Sequence, residues 1–208
     1  PGQLGVFPLS GEAIFLPEAA VSGDEKVQIE PEVALWCELE YAGEQVVAIH
    51  PKAFGAYNDC SIRRPNAKKI SEKKNWGEES KGLAASLLPL SHFGAGCELD
   101  DYRIACYLER DGELHPYGVD SAAVDYSYFH RQLLDWAIDK FNHQQDEGPA
   151  EHIQGLLAQA GHPAHALISI GATRYTPFGE THFLKPGDTS CVLVYPASRY
   201  SESDIREA

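Results

Sequence analysis

Methionine is missing from all 208 residues, and the sequence opens in mid-flow on PGQLGVFPLS. A chain with no initiator residue sets the expectation of one trimmed at its start. No apolar run approaches the ~18 residues of a membrane-crossing helix, and no signal peptide is visible. Both absences point to a cytoplasmic protein that does not engage a membrane. Cysteine is sparse: the five residues are odd in number, and none forms a CxxC pair. A thiolate zinc site lacks its ligand spacing. The expectation is reduced, buried thiols. Basic charge is also short, with 17 Lys and Arg against 31 Asp and Glu, a net charge of -14. Such a chain repels nucleic acid and anionic membrane. An anionic substrate would need a local basic group or a metal ion. Glycine-rich phosphate loops of the GxGxxG or GxxxxGK type are absent, as are internal repeats and low-complexity tracts.

What remains is ordinary globular composition, 43% hydrophobic and 23% charged, in a length that suits a single domain. Residues 1–26 form a turn-rich, irregular lead-in. Residues 27–40 read as a strand, and 44–50 as its partner across a turn in which Gly43 supplies the flexible position. Residues 62–82 are polar, rich in Lys and Arg, and without sustained period; they read as a basic loop or lid, with a helical turn allowed. On charge alone they read as a solvated loop. Residues 102–119 predict a hairpin turning at Asp111-Gly112. Phe129, Leu133, Ala137 and Phe141 recur every four residues and predict an amphipathic helix. A second helix is expected from Pro149 to Ala160, ended by Gly161. HALISIGATRY and TSCVLVYP read as strands. Residues 197–208 are expected to be a frayed polar tail. Strands at both ends with helices between them predict an α+β, mainly β fold.

Chemistry concentrates in IEPEVALW, residues 29–36. In a strand, residues i and i+2 share a face, so Glu30 and Glu32 converge while Pro31 points away. Pro31 also marks a strand start or an edge. Two glutamates at a strand mouth are most simply solvated. Asp59, in AYNDCSIRR, follows a second expected strand and completes a three-carboxylate face. Hard divalent cations such as Mg²⁺ favour such oxygen donors at about 2.1 Å and relieve their repulsion.

EPEVAL, NDCSIR and KGLAASLLPL, in this order, resemble the fumarylacetoacetate hydrolase superfamily. That family carries an E-x-E motif, then N-D-x-S-x-R, then a lysine opening an apolar segment. FLKPGDTSCVLV resembles a further family segment. The matches span residues 30–195 and are dense over 30–90. The resemblance implies the family's mixed β-sandwich roll, of the type of its C-terminal domain, in a homodimer. It implies Mg²⁺, or Mn²⁺ or Ca²⁺, held by Glu30, Glu32 and Asp59. Arg63 would meet a substrate oxygen, Lys81 would stabilise an enolate or oxyanion, and Asn66 stands where members carry a supporting glutamine. Thr173 falls near the family's substrate-loop threonine, whose own position is Ala172 here. Other departures are Arg64 and Ala84, each standing where an acid is common. The N-terminal lid with the water-activating His and Glu would lie upstream of this sequence. His92 is a candidate substitute.

The expected function is that of a Mg²⁺-dependent hydrolase or lyase on a small anionic oxo-acid or dicarbonyl, acting through a metal-stabilised enolate. C–C hydrolysis, decarboxylation and hydration or isomerisation all share that step. A non-catalytic descendant binding a carboxylate ligand or a protein partner is the alternative. An accidental match would splay Glu30 and Glu32 into solvent, far from Asp59. His162 and His165 are spaced for a metal, but Pro163 between them favours a loop. Trp76 either caps substrate or packs the basic loop.

Overall fold

The computed structural model describes residues 5–171 and 173–207. In chain order, its strands are β1 (Leu9–Ser10), β2 (Val27–Gln28), β3 (Pro31–Ala42), β4 (Gln45–Asn58), β5 (Ser61–Ile62), β6 (Lys81–Leu83), β7 (Leu88–Pro89), β8 (Tyr102–Arg110), β9 (Glu113–Ala122), β10 (His165–Ile170) and β11 (Thr189–Pro196). Its helices are α1 (Glu18–Val21), α2 (Ser71–Lys74), α3 (His130–His143), α4 (Ile153–Gln159), α5 (Pro177–Thr181) and α6 (Glu202–Glu207).

The β3–β4 hairpin is the axis of the largest sheet, ordered β1-β6-β4-β3-β10 with β7 also on β4. Cys37 and Leu39 are buried while Trp36, Glu38 and Glu40 face out, the period of a half-buried strand. Gly43 sits at φ 65° in the turn, a region open to glycine. β4 is longer than the sequence suggests. It passes straight through Pro51, because a register shift between Trp36 and Cys37 leaves Lys52 as the extra residue beside Pro51. The β1–β6 pair is parallel, so the sheet is mixed.

β11, β8 and β9 form a second sheet, and β2 and β5 a small third one. Asp111 and Gly112, both at positive φ, close the β8–β9 hairpin, as the right-handed twist of its strands requires. Alternation along β8 sends Ile104, Cys106 and Leu108 into the two main cores. Ala105 and Tyr107 go to the opposite face, with Ile205 of α6 packed there. α3 lays Leu133 and Ala137 on the main core, with Phe129 and Phe141 at its margin.

Two boundaries need correction. The second expected helix begins at Ile153 rather than Pro149, because residues 147–150 are used in a turn, with Ala150 N–H donating to Glu147 O. The expected frayed tail instead carries α6. Ser201 and Asp204 cap it reciprocally, the Ser201 N–H on the Asp204 carboxylate at 2.8 Å and the Asp204 N–H on Ser201 Oγ at 3.2 Å.

Candidate metal centre

The open end of the β3–β4 hairpin builds the site. Pro31 opposes Asn58, and Glu32 opposes Tyr57. One step further, the Asp59 N–H donates to Glu30 O at 2.9 Å, extending the ladder by a pair. Opposed residues of an antiparallel pair share a face, as do residues i and i+2. Glu30, Glu32 and Asp59 therefore project to one side, and one oxygen of each lies within 4.8 Å of the others. Pro31 costs no ladder bond here, since the β3–β10 pairing starts only at Val33. The splayed arrangement that an accidental match would give is not observed.

Cations ring this face. Lys81, 3% exposed, places its ammonium 2.8 Å from Asp59 Oδ1 and also donates to Cys60 O. Arg63 reaches Glu30 Oε1 at 3.2 Å and donates to the Tyr175 hydroxyl at 2.7 Å and to Gln28. The Tyr175 hydroxyl in turn donates to Ile29 O at 2.9 Å. Lys74, at the end of α2, bonds both Glu30 and Asp59. Sequence reasoning missed Lys74, treating it as one of many loop lysines.

The loop path that delivers Lys74 is fixed by polar contacts. Arg64, standing where the related family has an acid, pairs with Glu25 and donates to Glu72 O at 2.7 Å. Ser71 N–H meets the Glu151 carboxylate at 3.1 Å, and Ile70 N–H meets Pro149 O at 2.9 Å. Trp76 donates to Phe15 O at 2.7 Å, and the Lys81 ammonium stands 5.5 Å from its ring centre. Between β5 and β6 the chain carries a single helical turn, α2, which brings Lys74 to Glu30 and Asp59.

The carboxylates differ in charge state. Burial disfavours the Glu30 anion, but Lys74 and Arg63 outweigh it and hold its carboxyl below the ordinary range. Glu32 is pushed up to about 7, first by burial and then by the Asp59 charge. Among the described residues, its Oε2 is buried without a hydrogen-bond partner. Burial lowers the Lys81 ammonium although Asp59 pulls it up, whereas Asp59 and Glu30 carry Lys74 above its usual range despite burial. Ser169 and Tyr126, absent from the sequence reading, flank Glu32: Ser169 bonds it, and its charge raises the Tyr126 hydroxyl after burial does.

Other expected residues lie elsewhere. Asn66 is exposed in the turn after β5, and no hydrogen bond ties it to the carboxylates among the described residues. Thr173 is buried, but its hydroxyl crowds Gly118 and bonds Arg174 O at 3.4 Å. Ala172 lies outside the described residues. His92 is exposed beside Ser91, and so is not delivered to the site. His162 packs edge-on to Tyr41 and His165 stacks on Trp36, so each ring has an aromatic partner and the two form no ligand group among the described residues. A cavity of about 590 Å³, lined by Asn58, Gly82 and Ser190, touches none of the three carboxylates. Cys97, Asp100 and His130 also cluster. There Asp100 accepts from the thiol at 3.3 Å and lies 2.6 Å from His130 Nε2, a group closed on itself at the start of α3.

A family model described as "Family of unknown function (DUF5718)" matches residues 1–208. The chain belongs to that family. No curated protein matches it. Among solved structures, the DUF5718 chain is similar to "Crystal structure of Cg1458 with inhibitor", with a TM-score of 0.54 and 16% identity over 91% of this chain. This chain spans 59% of the length of that one. The likeness is one of fold alone, that of the mixed-sheet topology described above. Among the described residues, no helix is long and apolar enough to cross a membrane.

Proposed function

We propose that the protein is a divalent-metal-dependent hydrolase or lyase acting on a small anionic oxo-acid or dicarbonyl, with Glu30, Glu32 and Asp59 holding Mg²⁺ or Mn²⁺. The observation that carries this reading is the Oε2 of Glu32, buried and without a hydrogen-bond partner among the described residues, on a face with two further carboxylates. Lys74 bonds Glu30 and Asp59, whereas Glu32 has its hydrogen bond from Ser169. A small hard cation accepts an oxygen from all three, so the donor set fits. When bound, such an ion polarises carbonyl oxygens of the substrate.

The protein groups supply the rest. Arg63, oriented by Gln28 and Tyr175, would grip a substrate carboxylate through its planar fork. Lys81 is buried, fixed by Asp59, and suited to offset negative charge that develops on a substrate oxygen. Trp76 shields that ammonium from water. Thr173 shapes its loop against Gly118, and Asn66 has no part in this reading. Five unpaired thiols support a reducing, cytoplasmic setting, and a homodimer follows from the superfamily resemblance alone.

Calorimetric titration of the full chain with Mn²⁺ tests the metal centre, beside Glu32→Gln. Binding that the substitution removes is expected, followed by turnover of an oxo-acid panel by the loaded protein. No Mn²⁺ binding by folded wild type, with or without an oxo-acid present, would refute the metalloenzyme. Metal binding without turnover of any panel member would favour a carboxylate-binding, non-catalytic protein.

A further inference from the structure

The Lys74 ammonium bonds a carboxylate oxygen of Glu30 and one of Asp59, and lies 3.4 Å from Asp59 O. It therefore stands between two of the three candidate ligands. A divalent ion bridging those oxygens at about 2.1 Å would take the space between them in which the Lys74 ammonium stands, so the two cations compete for one position. Charge leads to the same conclusion. Glu30, Glu32 and Asp59 carry three negative charges when ionised, and Lys74, Lys81 and Arg63 carry three positive ones. A divalent ion added beside Lys74 would leave a surplus of two positive charges in a half-buried site, an unfavourable state at low dielectric. With Lys74 withdrawn the surplus is one, which an anionic substrate cancels.

The segment bearing Lys74 is built to move. α2 is a single turn with no buried residue. Its ties are polar: Arg64 to Glu72 O, Ser71 to Glu151, and Lys69 to Asp146 and Ala150 O. The nearest apolar anchor is Trp76, two residues beyond Lys74 at the margin of the second core, so displacement of α2 itself mainly exchanges hydrogen bonds for water at modest net cost.

We propose that Lys74 is an internal counter-ion that competes with the divalent cation for Glu30 and Asp59, so that metal loading requires Lys74 and α2 to swing away. The proposal rests on the reading of Glu30, Glu32 and Asp59 as the metal centre. It makes Lys74 the determinant of metal affinity without being a ligand.

Mn²⁺ affinity of the full chain, measured by calorimetry for wild type, Lys74→Met and Lys74→Gln, tests it. Both variants are expected to bind Mn²⁺ at least ten-fold more tightly than wild type. In wild type, Mn²⁺ is expected to increase amide hydrogen exchange across residues 68–77. Lys74→Gln keeps hydrogen-bonding capacity on a somewhat shorter, neutral side chain, and the exchange measurement needs no variant, so a misfolded Lys74→Met does not end the test. Tight binding by the variants with none by wild type supports competition for the carboxylates while refuting metal-dependent turnover by wild type. Equal or weaker affinity in the variants, with Glu32→Gln still abolishing binding, overturns the role of Lys74 and spares the metal centre. Absence of Mn²⁺ binding in all three proteins overturns both.

Discussion

Glu32→Gln separates the cost of the carboxylate from its use. In the metal-free protein, Glu32 ionises only near pH 7 rather than 4.5, because burial and the Asp59 charge oppose its anion. Between those two values the folded state holds a proton that the unfolded state has released. Stability therefore falls as pH rises through this window and levels off above about 7. At 1.36 kcal/mol per unit, the ceiling on this loss is about 3 kcal/mol. Glutamine keeps the shape, cannot ionise, and can donate toward the neighbouring carboxylates. If half of the ceiling is recovered at pH 8, the variant gains about 1.5 kcal/mol, or roughly 3–6 °C in Tm for a chain of this size. The assay is thermal unfolding with chelator from pH 5 to 8. The expected result is a downward slope in wild type, a flatter line in Glu32→Gln, and a more stable variant at pH 8 that has lost Mn²⁺ affinity. An identical slope in both proteins, or a less stable variant at pH 8, would refute the reasoning.

Three more substitutions probe the neighbouring contacts. Asp59→Ala leaves the Lys81 ammonium buried without its carboxylate; a destabilisation of about 3–5 kcal/mol by urea unfolding, with loss of metal binding, is expected. Lys81→Met should leave Mn²⁺ affinity within a few-fold of wild type while lowering kcat by about 10²–10³, and an unchanged kcat in steady-state assays would remove Lys81 from the chemistry. Gly179→Ala places a Cβ 2.2 Å from Tyr117 O, so α5 must shift, and with it the Gly179 carbonyl that holds Gln28 at 2.6 Å. We expect a loss of about 1–3 kcal/mol and, because Gln28 orients Arg63, a raised KM for anionic substrate.

The carboxylate face was readable because it depends on short-range rules. A period of two, a glycine turn and a proline-started strand suffice to bring Glu30, Glu32 and Asp59 together. Asp111-Gly112 and the Phe129–Phe141 stripe were readable for the same reason. Lys74 was not, because its place is set by contacts with Glu151 and by Arg64 acting across to Glu25, none of which leaves a periodic trace. Ser169 reaches Glu32 through the β3–β10 pairing, which strand patterning cannot register, and Tyr126 arrives from the segment that follows β9. The unbroken course of β4 was obscured by Pro51, since a proline ordinarily argues against a mid-sheet position and the compensating extra residue, Lys52, is evident only from the register with β3. The polarity of the tail argued for fraying, whereas α6 rests on the reciprocal Ser201–Asp204 cap.

The hairpin that bears all three carboxylates is local in the chain, whereas Tyr175, Ser169 and the Glu151 anchor of α2 come from far downstream. Nearby segments meet first during folding, because closing a short loop costs less entropy than closing a long one. A refolding chain thus gathers three negative charges at the hairpin mouth before the distant supports of its cations are in place. Like-charge repulsion raises the barrier to that early step, so salt and mild acid, which screen or neutralise carboxylates, quicken hairpin closure.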